Sequence, residues 1–185
     1  MFPARYIPNI ITSTRIFFVP CLIWMLFQHQ FERSLILVLI MGLSDALDGF
    51  LARYYSWKTT LGAYLDPIAD KLMLLSAFVA FAVLGWVPWW LSAIVVARDV
   101  ILLIGAVYYH LTTRQLSMEP LLISKVNTFA QIILAVSLIY SQVGSLHTQL
   151  LNALMTIVVC TTVTSGMRYV VEWSRRAAKI AHKQV

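Results

Sequence analysis

Six stretches of about twenty mostly apolar residues follow one another through this chain, roughly Ile7–Phe27, Ser34–Tyr54, Gly62–Leu84, Trp89–Tyr109, Leu121–Tyr140 and Leu150–Val171. About 20 such residues is the length of α-helix that crosses the hydrocarbon core of a bilayer. The breaks between the stretches are too short to fold alone. Of the 185 residues, 60% are hydrophobic and 12% charged, against roughly 45–50% and about 25% in a soluble domain. This excludes an ordinary soluble protein and a disordered one. Cys21 and Cys160 both lie in apolar stretches and offer neither a disulfide framework nor a CxxC metal site. The expectation is an all-α integral membrane protein of six transmembrane helices, with residues 1–185 as a single transmembrane domain.

The distribution of Lys and Arg orients the helices. With the first helix entering from the inside, the inner side receives Arg5, Lys58, Arg114 and the basic run Arg168, Arg175, Arg176, Lys179 and Lys183. The outer side then receives Arg33 alone. The reading is N-in and C-in, with Trp86, Trp89 and Trp90 at the outer interface and Trp173 at the inner one. A net charge of +6 on this apolar background points to anionic lipid headgroups, not nucleic acid.

A carboxylate inside a membrane helix is expensive and usually functional. Asp45 and Asp48 stand at i, i+3 and share one helix face; Asp66 and Asp70 stand at i, i+4 and share another. A short turn around Ser56–Thr60 makes the two helices antiparallel neighbours and gathers four carboxylates near the inner interface. Like charges in a partly dry place raise one another's pKa and repel. One or two divalent cations resolve the conflict, and all-oxygen ligation suits Mg²⁺, Mn²⁺ or Ca²⁺ over Zn²⁺. Two such ions would polarise a phosphoryl group and its leaving oxygen. Gly49, Ala52 and Gly62 leave room for a ligand beside the aspartates, or simply let helices pack closely. Arg53 adds a cation suited to a phosphate oxygen.

These residues resemble a known family. Asp45-x2-Asp48-Gly49-x2-Ala52-Arg53-x8-Gly62-x3-Asp66-x3-Asp70 is similar, without gap or substitution, to the signature of the CDP-alcohol phosphatidyltransferases. The resemblance covers essentially the whole chain. It implies a six-helix membrane fold, two divalent ions (Mg²⁺ or Mn²⁺), a homodimer, and displacement of CMP from a CDP-linked lipid by an acceptor hydroxyl. It implies Asp45, Asp48 and Asp66 as metal ligands, and Asp70 as general base that also touches metal. Gly49, Ala52, Arg53 and Gly62 are expected along the CDP moiety. The stretch Pro8-Asn9-Ile10-Ile11-Thr12-Ser13-Thr14-Arg15 resembles the opening of members that use CDP-diacylglycerol, and adds Asn9 and Thr12 to the CDP-lipid contacts.

Arg98 and Lys125, joined by Arg15, form the expected cationic pocket for an acceptor phosphate; the competing reading pairs Arg98 internally, with Asp99 or with the aspartate cluster, and leaves Arg15 as a snorkelling or counter-ion arginine. Ala97-Arg98-Asp99-Val100 and Ile123-Ser124-Lys125-Val126-Asn127-Thr128 look most like the members that join CDP-diacylglycerol to phosphatidylglycerol, giving cardiolipin and CMP. The alternative acceptor is glycerol 3-phosphate, giving phosphatidylglycerophosphate. Its users more typically read Arg-Glu and Gly-Lys-Val-Lys at these places, with a further arginine where this chain has Ala106-Val107-Tyr108-Tyr109. A small metal-ion transporter would carry inverted repeats and mid-membrane helix breaks, which are not visible. An intramembrane aspartyl protease would need a Gly-x-Gly-Asp stretch, and a prenyltransferase a longer chain. No amphipathic Arg-rich stretch precedes Ile7, which points to a bacterial cytoplasmic (inner) membrane, with the active site facing the cytoplasm.

Overall fold

The computed structural model describes residues 7–54, 60–113 and 122–183. It is built of helices throughout: α1 (Ile7–Phe27), α2 (Phe31–Tyr54), α3 (Thr60–Val83), α4 (Trp89–Thr113), α5 (Leu122–Tyr140) and α6 (Thr148–Lys183). Each expected stretch becomes one helix. The largest difference is α6, which continues well past Val171. From Glu172 to Lys183 the chain has no Gly or Pro and is rich in Ala, Arg and Lys, all good helix formers. Apolarity ends at Val171, but helix propensity does not. The expected turn around Ser56–Thr60 lies outside the described residues except for Thr60, which opens α3.

The backbone divides into two compact units, Met1–Val87 with Ala135–Leu146, and Pro88–Leu134 with His147–Val185. In the first unit α1 packs on both α2 and α3. Its core joins Leu22 and Leu26 of α1, Val38 and Met41 of α2, and Leu74, Phe78 and Phe81 of α3, all buried. Ala77 and Ala80 are buried on α3, and small side chains of this kind let helix backbones approach closely.

Two of these helices end in the same way. At the end of α1, Gln30 N–H donates to the Met25 carbonyl (3.0 Å) and His29 N–H to the Leu26 carbonyl (3.1 Å), with His29 at φ 56°. At the end of α3, Trp86 N–H donates to Phe81 (2.9 Å) and Gly85 N–H to Ala82 (3.1 Å), with Gly85 at φ 75°. Both are Schellman caps, in which a residue in the left-handed region turns the chain and satisfies carbonyls the helix leaves open. The apolar contact that accompanies such a cap is present on α3, where Trp86 stacks on Phe81 with centroids 5.4 Å apart. Phe31, the first residue of α2, meets Trp86 at 5.3 Å. The start of α2 and the end of α3 therefore sit at one aromatic end of this unit.

In the second unit α4 packs on α6. Leu91 and Val95 of α4, Leu134 of α5 and Val158 of α6 are buried. Where the first unit buries Ser34, this one buries a larger polar set: Ser92, Arg98, Asp99, Asn127, Gln131, Thr162 and Ser165.

Large apolar side chains face outward on helices of both units, among them Phe17 (78% exposed), Leu122 (79%), Phe129 (65%) and Met167 (64%). Among the described residues, Leu122–Tyr140 and Thr148–Tyr169 are long and apolar enough to cross a bilayer. Ile16–Phe27 and Lys71–Val83 are shorter apolar segments. The outward-facing surface and these helices are those of a membrane protein.

Candidate functional site

The side chains of Asp45, Asp48, Gly49, Ala52, Arg53, Gly62, Asp66 and Asp70 lie outside the described residues, as do those of Asn9, Thr12 and Arg15. Their helices are described, and the helix rise places their backbones. At 1.5 Å per residue, Asp45 and Asp48 lie about 21 and about 26 Å along α2 from Phe31. Asp70 and Asp66 lie about 17 and about 23 Å along α3 from Phe81. Phe31 and Phe81 both pack against Trp86. The two aspartate pairs thus share one level of the first unit, far from its aromatic end. On α1, which packs on both helices, Arg15, Thr12 and Asn9 lie about 18, 23 and 27 Å from Phe27. Asp45, Asp48, Asp66 and Asp70 with Arg15, Thr12 and Asn9 thus lie about 17 to about 27 Å along α1 and the two helices it packs on, and Gly49, Ala52, Arg53 and Gly62 about 27 to about 33 Å. Among the described side chains no three His, Cys, Asp or Glu gather as a metal site. The donor set that would hold a cation is the aspartate quartet, and four carboxylates at one level are chemically suited to Mg²⁺ or Mn²⁺.

Arg98 is described in full. It is 6% exposed, and its guanidinium bonds to three side chains on three helices. Nη1 pairs with the carboxylate of Asp99 on α4. Nη2 donates to Ser124 Oγ on α5 (2.7 Å) and to Ser165 Oγ on α6 (2.5 Å). Nε is buried without a partner. The internal pairing of Arg98 with Asp99 is therefore realised, and Arg98 is no isolated cation. Lys125 follows Ser124 directly on α5, yet its side chain is exposed. The structure brings Arg98 to the residue beside Lys125 without burying the two cations together.

One turn further along α5 is Asn127, fully buried. Its Oδ1 accepts from Thr161 and Thr162 of α6, each at 2.8 Å, while its Nδ2 has no partner. A further turn on, Gln131 is fully buried with both amide ends unpartnered. Ser124, Asn127 and Gln131 (i, i+3, i+7) form one stripe, and Thr161, Thr162 and Ser165 face its first two layers. Of these six, the sequence reading used only Ser124 and Asn127. The missed signal was periodic: hydroxyls and amides recurring at helical spacing in otherwise apolar helices.

The family model for CDP-alcohol phosphatidyltransferase matches residues 5–164. The chain is 34% identical over 166 residues to a rat protein named cardiolipin synthase (CMP-forming), covering 78% of this chain and 55% of the relative. It is 30% identical over 186 residues to a chloroplastic CDP-diacylglycerol–glycerol-3-phosphate 3-phosphatidyltransferase of rice, covering 90% and 56%. It is 30% identical over 169 residues to a probable phosphatidylglycerophosphate synthase of Mycobacterium tuberculosis, covering 88% and 78%. The chain spans little more than half the length of the rat and rice relatives.

Proposed function

The chain belongs to the CDP-alcohol phosphatidyltransferase family, and from that premise we propose that it transfers a phosphatidyl group from CDP-diacylglycerol to phosphatidylglycerol, giving cardiolipin and CMP. Relatives carry names for both acceptors, phosphatidylglycerol and glycerol 3-phosphate, so the choice rests on charge in the second unit. The charge of Arg98 is matched by Asp99, and the buried α5 position one turn beyond its partner Ser124 is the neutral Asn127. Glycerol 3-phosphate carries a dianionic phosphomonoester, best held by several cations. Phosphatidylglycerol carries one charge on a phosphodiester, and its acyl chains can stay between helices in the bilayer. The balanced Arg98–Asp99 pair supports the singly charged acceptor.

In this reading Asp45, Asp48, Asp66 and Asp70 would hold two Mg²⁺ or Mn²⁺ ions, which would supply stabilisation of the negative charge on the transferred phosphoryl group and leaving oxygen. Asn9, Thr12, Gly49, Ala52, Arg53 and Gly62 hold the CDP moiety of the lipid. Arg15, Arg98 and Lys125 contact the acceptor phosphate. Asp70 takes the proton of the acceptor's glycerol hydroxyl. That oxygen attacks the phosphorus attached to diacylglycerol in line, the bond to the CMP oxygen breaks, and CMP leaves with the electron pair. The six helices cross the cytoplasmic membrane N-in and C-in, with the aspartate level on the cytoplasmic side, in a homodimer.

The test offers the purified chain CDP-diacylglycerol with phosphatidylglycerol or glycerol 3-phosphate in parallel and identifies the products. Cardiolipin with CMP is expected. Rapid use of glycerol 3-phosphate with phosphatidylglycerol ignored would replace the acceptor. Absence of CMP release with either would overturn the reaction for this chain.

A further inference from the structure

A guanidinium has five N–H groups, one on Nε and two on each Nη. In Arg98 both hydrogens of Nη2 are engaged, by Ser124 Oγ and Ser165 Oγ, and Nη1 is held by Asp99. That accounts for three of the five N–H groups; among the described residues the Nε–H is buried without a partner. Leaving a buried donor unmet costs folding free energy, and such groups in a native protein call for an explanation. A ligand acceptor is the explanation that fits an arginine already expected to meet the acceptor phosphate.

We propose that Ser165 of α6, together with Ser124 of α5, is a positioning residue that fixes the Arg98 guanidinium so that its Nε–H is presented to the acceptor phosphate. The inference rests on the acceptor contact of Arg98 proposed above. Asp99 follows Arg98 on the same helix, and a single anchor at Nη1 leaves the planar group free to swing. The two serines come from two other helices and converge on Nη2, so the plane of the guanidinium, and with it the direction of Nε–H, is set by α5 and α6. Ser165 is itself fully buried and lies one residue beyond the stretch the family model matches. Because Asp99 balances the charge, Arg98 contributes to binding by direction more than by net attraction. Direction is what the serines supply.

The experiment measures steady-state kinetics of the full chain in mixed micelles, varying phosphatidylglycerol and CDP-diacylglycerol separately, with thermal unfolding alongside. Ser165→Ala should raise the KM for phosphatidylglycerol about tenfold, the effect of one lost charge-assisted contact, while the KM for CDP-diacylglycerol stays close to the parent and the melting temperature falls modestly, because Nη2 loses a buried partner. Ser165→Thr keeps the hydroxyl and should restore the parent acceptor KM. Ser124→Ala should shift the same parameter in the same direction. A parent-like acceptor KM in Ser165→Ala would overturn the proposal. So would equal losses for both substrates with a lowered melting temperature and no rescue by Thr, which is the behaviour of a purely structural tie. Arg98→Ala reports separately: if it leaves the acceptor KM unchanged, the acceptor contact itself is wrong. A glycerol 3-phosphate arm reports on acceptor identity independently of both.

Discussion

Gly85 and His29 occupy equivalent positions in the caps of α3 and α1, and they meet the same conformational demand differently. A left-handed backbone costs a residue with a Cβ roughly 1–2 kcal/mol. Gly85 avoids that cost; His29 bears it, and its ring meets Phe31 edge-on at 5.5 Å. A Cβ added at Gly85 would have no atom within 4 Å, so its penalty is conformational alone. Gly85→Ala should therefore lower stability by about 1 kcal/mol, read as a reduced melting temperature in detergent without loss of activity. At the aspartates the expected outcome is chemical. Asp70→Asn should retain CDP-diacylglycerol binding and lose turnover by roughly 10²–10⁴-fold, the usual worth of a general base. If binding disappears with turnover, Asp70 is a metal ligand first. Asp45→Asn, Asp48→Asn and Asp66→Asn should each remove most activity from a folded protein, and EDTA should do the same to the parent. The aspartate motif is read from its spacing in the sequence, and its side chains lie outside the described residues. The Arg98–Asp99 pair is the competing reading in the sequence; adjacent residues on a helix do not face each other. An arginine's length lets it bend back to its neighbour, and spacing rules do not anticipate that.

Helices were legible wherever twenty apolar residues stood together, and their ends were legible only where chemistry marks them. Gly85 followed by Pro88 stops α3 and allows α4 to start. Nothing comparable follows Val171, and α6 runs on to Lys183. Which helix faces meet was less readable, since a membrane helix lacks the polar-against-apolar contrast that marks a buried face. The α5–α6 contact is instead written in polar residues. Asn127 receives two hydroxyls from Thr161 and Thr162, and Thr161 Oγ also lies 2.9 Å from its own-helix carbonyl at Ile157. Gln131, a turn away, has no hydrogen-bond partner for its amide among the described residues. Replacing an unmet polar side chain by an apolar one of similar shape removes a desolvation penalty of about 1–3 kcal/mol. Gln131→Met should accordingly raise the melting temperature and leave turnover near the parent value. A clear drop in melting temperature would show that the Gln131 amide has a stabilising partner in the membrane.

At the scale of the molecule, helix length and charge together carry the topology. α6 has 36 residues, about 54 Å at 1.5 Å per residue, whereas the hydrocarbon core is about 30 Å thick. Its apolar portion, Thr148–Tyr169, is long and apolar enough for one crossing. The remainder holds Arg175, Arg176, Lys179 and Lys183, which favour the anionic cytoplasmic leaflet. If α6 leaves on the inside, the α5–α6 connection at Ser141–His147 lies outside and the α4–α5 connection lies inside. Arg114 in the latter and the absence of Lys and Arg from the former agree with the positive-inside bias. Single-cysteine variants test this in a background in which Cys21 and Cys160 are replaced by Ser. In right-side-out vesicles a membrane-impermeant maleimide should label Gln142→Cys, whose parent side chain is exposed, and should spare Gln115→Cys and His182→Cys until the membrane is permeabilised. The reverse pattern would invert the proposed topology and overturn the N-in, C-in reading. Labelling of Gln142→Cys and His182→Cys from the same side would mean that α6 does not cross the membrane.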